Sequence, residues 1–164
     1  MPGDGGDQKT SSLIRFYAIA LLIVFLDQTT KFAAQLYLTE ETSVPVLQGF
    51  FHLTLVHNTG VAFGLLREHG DILLGIITAS VVFLSLWAHF VLHSGFWMES
   101  SLALILGGAV GNWIDRLRLG SVVDFLDFRV WPVFNVADSA ITAGVFLYCL
   151  LLMKDMFTKN PAGR

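Results

Sequence analysis

Four apolar stretches, at about residues 13–34, 72–92, 101–119 and 136–157, constrain this chain more than any other feature of it. A helix rises 1.5 Å per residue, so the roughly 30 Å hydrocarbon core of a bilayer takes about 20 residues, and each stretch is near that length. Of the 164 residues, 54% are hydrophobic and only 14% charged, which lies outside the soluble range. The fold class that follows is an α-helical membrane protein with four transmembrane helices. An even number of crossings puts both termini on one side. The short connection at 93–100 makes the second and third helices an antiparallel hairpin.

The first stretch follows a basic residue, as the core of a signal peptide would. No small-residue cleavage site closes it and further spans follow, so it reads as an uncleaved anchor. Residues 1–12, rich in Gly, Asp, Ser and Thr, read as a disordered tail. Residues 13–157 form one domain and 158–164 a C-terminal tail. Two long connections, 43–66 and 120–134, emerge on the face opposite the termini. In the first, Phe51, Leu53 and Leu55 alternate with His52, Thr54 and Val56, and Asn58-Thr59-Gly60 is a turn signal. The second is rich in Val, Phe and Trp. Together they predict a small sheet-like cap on the outer membrane surface. Gly107 and Gly111 form a small-residue pair that lets the third helix approach a neighbour closely.

Basic residues do not orient the chain by count alone. Lys9, Arg15, Lys154, Lys159 and Arg164 on the terminal side stand against Lys31, Arg67, Arg116, Arg118 and Arg129. If carboxylates pin Lys31 and Arg116 inside the bundle, the balance tips towards cytoplasmic termini. A net charge of -3, with no basic run longer than two residues, points away from nucleic acid. The single cysteine, Cys149, excludes an intrachain disulfide and reads as a small buried hydrophobe.

Asp124, in Val122-Val123-Asp124-Phe125, and Asp138, in Asn135-Val136-Ala137-Asp138-Ser139, each follow apolar residues at the edge of a spanning stretch. An ionised Asp near the bilayer centre costs on the order of 2.5 to 3.5 kcal/mol even on the lenient insertion scale, so such residues are kept for use. Two carboxylates that meet can share a proton and work as acid and base. Neither has a basic residue three or four positions away, and the connection between them is long enough to bring them together. Asp138 also lies in the first turn of the fourth helix, where an acidic residue is ordinary punctuation. On the residues alone, a capping Asp138 with a solvated Asp124 stands beside a catalytic pair. Asp127 competes as the second acid, although its loop position favours solvation.

Asp27 and Lys31 share one helix face, as do Asn112, Asp115 and Arg116, and both sets read first as mutually neutralised charges that fix packing. Asn58 is a turn former or a hydrogen-bonding group. His89 and His93 have the spacing of a helical metal pair, but no carboxylate accompanies them and the HExxH pattern is absent, so they read as interfacial. His52 and His57 read as surface or cap residues. Ser121 or Ser139, with Lys31 as base, would suit a serine and lysine protease, which no spacing selects.

Five motifs occur in a telling order: Asp27-Gln28-Thr29-Thr30-Lys31, Asn58-Thr59-Gly60-Val61-Ala62-Phe63, the run from Gly107 through Gly108, Gly111, Asn112 and Trp113 to Asp115-Arg116, Val122-Val123-Asp124-Phe125, and Phe134-Asn135-Val136-Ala137-Asp138-Ser139. In these the chain resembles the prolipoprotein signal peptidase, or signal peptidase II, family over about residues 13–157. Departures are Thr30 where serine is common and Val61 where alanine is common. The resemblance implies an intramembrane aspartic peptidase of four transmembrane helices and an extracytoplasmic β-cradle. Its catalytic pair falls on Asp124 and Asp138, with Asp27, Lys31, Asn58, Gly108, Asn112, Arg116, Asn135 and Ala137 as supporting or substrate-contacting residues. No metal or other cofactor is implied. The implied partners are membrane lipid and bacterial lipoprotein precursors whose cysteine carries a thioether-linked diacylglyceryl group, cut just before that cysteine. The implied setting is the cytoplasmic (inner) membrane, with the chain a monomer. A small proton-coupled transporter is the rival, but transport sites favour the bilayer midplane and repeated halves, whereas these acids cluster at one face of non-repeating segments. A purely structural scaffold is the third reading.

Overall fold

The computed structural model describes residues 4–40, 42–60, 70–91 and 94–159. It contains helices α1 (Asp4–Tyr37), α2 (Gly70–Val91), α3 (Phe96–Leu119) and α4 (Val136–Lys159), and strands β1 (Ser43–Leu47), β2 (Phe51–Asn58) and β3 (Val122–Asp127). Residues 4–12 are helical, which corrects the expectation of a disordered tail reaching residue 12. Tertiary contact explains the difference. Ser12 is buried and its Oγ donates to Glu99 Oε1 at 2.9 Å. Arg15 Nη2 donates to Ser12 Oγ and to Glu99 Oε2, both at 3.1 Å. At the other end α4 takes in residues 158 and 159 of the expected C-terminal tail.

Helices α1, α2 and α4 each hold a stretch long and apolar enough to cross a membrane, at Gln8–Tyr37, Asp71–Ala88 and Val136–Thr158. Among the described residues α3 does not reach that hydropathy, and its sequence carries Glu99, Asp115, Arg116 and Arg118. The reason is its place in the bundle. It packs against α1, α2 and α4 and buries Leu102, Ala103, Leu106, Gly107, Gly108 and Gly111, so its small and polar residues meet protein rather than lipid. The outer helices instead expose large apolar side chains, among them Phe25 and Phe32 on α1, Phe83 and Phe90 on α2, and Phe146 on α4. Cys149 is exposed as well, not buried. In a bilayer the outward face of a helix is as apolar as its inward face, so an apolar run does not report burial.

Close approach at α3 depends on glycine. A Cβ on Gly107 would meet Ala20 O at 2.7 Å and one on Gly111 would meet Asp27 Oδ2 at 2.5 Å, so this pair seats α1. A Cβ on Gly108 would collide with Ala137 O and meet Ile141 Cγ1 at 2.7 Å, and one on Gly144 would meet Ser101 O at 2.6 Å. Those two set the crossing of α3 with α4. Helix α3 stops at Gly120, whose φ of 69° and N–H bond to Arg116 O at 3.1 Å make a left-handed cap. That reversal sends the chain back as β3.

The strands form an antiparallel sheet in the order β1-β2-β3. Leu53 pairs with Leu126 and Val56 with Asp124, so Thr54 and Leu55 together oppose Phe125 in a bulge. The expected alternation breaks there. Leu55 turns inward with Val123, Phe125 and Ala34 of α1, while Thr54 reaches Asp127. With Val123 and Phe125 committed to that cluster, the two-residue period of β3 turns Asp124 to the opposite face.

Candidate active site

Asn135 is the residue before α4 and its side chain is fully buried. Its Oδ1 accepts the Asp138 N–H at 2.8 Å, and Asp138 Oδ2 accepts the Asn135 N–H at 3.3 Å. This reciprocal arrangement is a capping box built from Asn and Asp. The other end of the same amide, Nδ2, donates to Asp124 Oδ1 at 2.7 Å. One side chain therefore touches both acids, and both line a single cavity of about 570 Å³. Asp138 punctuates its helix and shares a cavity with Asp124, which is buried rather than solvated.

The remaining carboxylate oxygens are also held. Asn58 Nδ2 donates to Asp124 Oδ2 at 3.0 Å, while Asn58 Oδ1 accepts the Gly60 N–H at 3.0 Å, which fixes the orientation of that amide. Asn112 Nδ2 donates to Asp138 Oδ1 at 2.8 Å, and Asn112 Oδ1 accepts from Lys31 Nζ at 2.9 Å. Lys31 in turn lies 2.9 Å from both Asp27 Oδ2 and Asp115 Oδ2. Those two acids anchor the segments that carry the pair. Asp27 Oδ1 accepts the Ala137 N–H at 2.9 Å, next to Asp138, and Asp115 Oδ2 accepts the Val123 N–H at 3.1 Å, next to Asp124. The charge cluster that the sequence assigned to packing is thus also the scaffold of the cavity.

Asp115 and Gln28 lie outside the set of site residues that the sequence supplied. Gln28 Nε2 bridges Asp115 Oδ1 at 2.9 Å and Asp27 Oδ2 at 3.2 Å. Asp115 could have been found from its spacing to Asn112. Gln28 had no such signal, because its partners lie on another helix and next to it in sequence. Arg116 is buried and lines the cavity, but its Nη2 donates to the Gly60 carbonyl at 2.6 Å rather than to a carboxylate. Its Nε and Nη1 have no partner among the described residues. Residues 61–63 of the second motif, His93 and the side chain of His89 lie outside the described residues.

Burial pushes the Asp124 carboxyl up to about 7; hydrogen bonds from Asn58 and Asn135 and the charge of Lys31 pull it down, and the charge of Asp138 adds to the rise. Asp127 is buried, not solvated, and does not line the cavity. Burial raises its carboxyl, yet the Arg129 N–H, the Thr54 hydroxyl and the Arg129 guanidinium together hold it below the usual range. It therefore stays ionised where Asp124 titrates and cannot share a proton in its place. Among the described residues no serine pairs with Lys31, which is enclosed by acceptors, since Ser139 Oγ donates to Asn135 O at 2.9 Å and Ser121 Oγ lies 3.5 Å from His57 Nδ1. His52, read as a surface or cap residue, is buried in the cap sheet, and His57 Nε2 lies 3.4 Å from Glu40 Oε1.

A helical membrane bundle with one buried and one half-buried acid where its small sheet meets two helices defines a class of integral membrane protein built for chemistry at one end. The family model described as signal peptidase (SPase) II matches residues 19–154. The lipoprotein signal peptidase of Moorella thermoacetica is 45% identical over 139 residues, covering 84% of this chain and 92% of that relative. That of Caldanaerobacter subterraneus is 46% identical over 136 residues, covering 82% and 93%. A solved bacterial membrane enzyme superposes with a TM-score of 0.78 at 30% identity, covering 94% of this chain and 93% of its own. The chain belongs to the signal peptidase II family and is a membrane peptidase.

Proposed function

We propose that this chain is an intramembrane aspartic endopeptidase that removes signal peptides from diacylglyceryl-modified bacterial lipoprotein precursors, cutting before the lipidated cysteine, with Asp124 and Asp138 as its catalytic pair. One observation carries the reading: two acids from separate elements line one cavity and are joined through the single side chain of Asn135. Asp138, at the start of α4 and accepting from Asn112 and Asn135, is the partner that carries the negative charge. Asp124, with its carboxyl near 7, is the partner that carries the proton.

Asp138 takes a proton from a water held between the carboxyls as the water oxygen bonds to the scissile carbonyl carbon, and Asp124 donates its proton to the carbonyl oxygen. Collapse of the tetrahedral intermediate breaks the C–N bond. The proton on Asp138 passes to the departing cysteine amine, and the hydroxyl proton returns to Asp124. The unpartnered Nε and Nη1 of Arg116 suit substrate backbone carbonyls. Two apolar grooves adjoin the cavity and suit a lipidated substrate. One, of about 400 Å³, runs between α2, α3 and α4 past Ile77, Phe83 and Ile105, and the other, of about 670 Å³, runs along α4 past Phe134 and Phe146.

In this reading α3 is a fourth crossing, enclosed by the other three helices, and the cap lies outside a bacterial inner membrane with both termini in the cytoplasm. Lys31 is pinned between Asp27 and Asp115 and drops out of the charge comparison, which supports that orientation. The test follows a lipidated precursor in membranes carrying Asp124→Asn or Asp138→Asn. Loss of one acid or base is expected to lower kcat by on the order of 10² to 10⁴. Wild-type processing by either variant would remove the reading.

A further inference from the structure

The catalytic cavity has one wall that is neither helix nor sheet. After β3 the chain makes an excursion from Asp127 and returns to pair Phe134 with Leu126, with N–H to carbonyl bonds of 2.8 and 3.1 Å in the two directions. Trp131, Pro132, Val133 and Phe134 of this excursion line the cavity that holds Asp124 and Asp138. Its bend is unusual. Arg129 has a φ of 65°, and the Val130 N–H reaches back to Phe128 O at 2.7 Å, the pattern of the rare γ-turn with positive φ. A non-glycine residue holds that conformation only where its surroundings enforce it.

Asp127 does the enforcing. Its Oδ1 accepts the Arg129 N–H at 2.8 Å, an Asx-type closure. Its Oδ2 accepts the Thr54 hydroxyl at 2.8 Å and Arg129 Nη1 at 3.2 Å. Thr54 spends its single hydroxyl hydrogen on Asp127, so the Ser43 hydroxyl, 2.7 Å away, donates to Thr54. A chain of hydrogen bonds thus ties all three strands to the bend. Phe128 wedges the same spot, with ring centroids 4.9 Å from Phe51 and 5.8 Å from Phe134.

We propose that Asp127 is a positioning residue for the peptidase reaction, one that fixes the bend at Arg129 and so holds the wall from Trp131 to Phe134 against the bound precursor. It touches no reacting atom and acts on substrate binding rather than on bond cleavage. The inference rests on the peptidase reading given above, and its test separates the two. With purified enzyme and a synthetic lipidated precursor, Asp127→Asn is expected to raise KM on the order of tenfold, the scale of a lost hydrogen bond to a charged group. The kcat and its pH profile are expected to stay as in the wild type. Adding Arg129→Gly to that variant is expected to restore KM, since glycine adopts positive φ unaided. An unchanged KM in folded Asp127→Asn overturns the proposal, and so does a fall in kcat like that of Asp124→Asn, or a failure of the rescue. If Asp127→Asn does not fold, Thr54→Val removes one of the bonds alone, and an unchanged KM there overturns it equally. Retained turnover in Asp124→Asn would sink the peptidase reading instead.

Discussion

At the scale of single residues, Asp124 and Asp138 come from the same side-chain type and are set apart by what surrounds them. Asp124 sits on a strand between two asparagine amides, and Asp138 sits in a capping box. The pKa of Asp124 is raised from 3.8 to about 7. Between those values the folded protein holds a proton that the unfolded chain has released, so the stabilisation is fully present below the lower value and is lost as pH rises through the upper one. The thermal midpoint of the detergent-solubilised protein is therefore expected to fall between about pH 5 and about pH 8. Asp124→Asn, with no proton to lose, should fall less. Equal falls in both would locate the linked group elsewhere. The same proton serves as the acid in the proposed chemistry, so kcat should decline above about pH 7.

At the scale of elements, the four helices and the small sheet are legible because apolar length, turn residues and the acidic first turn of α4 are local signals, whereas the starts of α1 and α3, at residues 4 and 96, are not. Nor is the bulge at Thr54 and Leu55, because only pairing with β3 reveals that two residues share one partner. Asp127 misled for a related reason: its position in sequence suggests solvent, and its partner Thr54 lies on another strand. Asn135 was named, but its bridging of both acids could not be read, since Asp124 reaches it only through the fold of β3 against α4. Gly108 gives this scale its test. A methyl group there would collide with the Ala137 carbonyl beside Asp138, whereas one on Gly75 of α2 meets nothing within 4 Å. Gly108→Ala is expected to cost about 1 to 3 kcal/mol by overpacking and to depress processing, while Gly75→Ala should leave both intact or gain a few tenths from helix propensity. Thermal unfolding with a processing assay on the two variants checks this, and equal behaviour would show that the α3–α4 crossing has slack.

At the scale of the whole molecule, hydropathy marks the three helices that expose large apolar side chains and passes over α3, which packs against all of them. Glu99 and Asp115 of α3 are answered within the bundle, so the helix has no need to read as uniformly apolar. Whether it crosses decides the geometry of everything after it. With four crossings, the β1–β2 turn at Gln48 and the end of α4 at Thr158 lie on opposite sides. With three, α4 would run outwards and both would lie on the same side. Gln48 and Thr158 are exposed, and Cys149 is the single cysteine to remove first. On a Cys149→Ser background, Gln48→Cys is expected to react with a membrane-impermeant maleimide on intact spheroplasts. Thr158→Cys should react only after permeabilisation. Labelling of both from outside would leave α3 out of the membrane, and the reverse pattern would turn the acid pair towards the cytoplasm. Either result would separate the cavity from the outer surface, the side on which the proposed function places the cap, the acid pair and the lipid-anchored precursor.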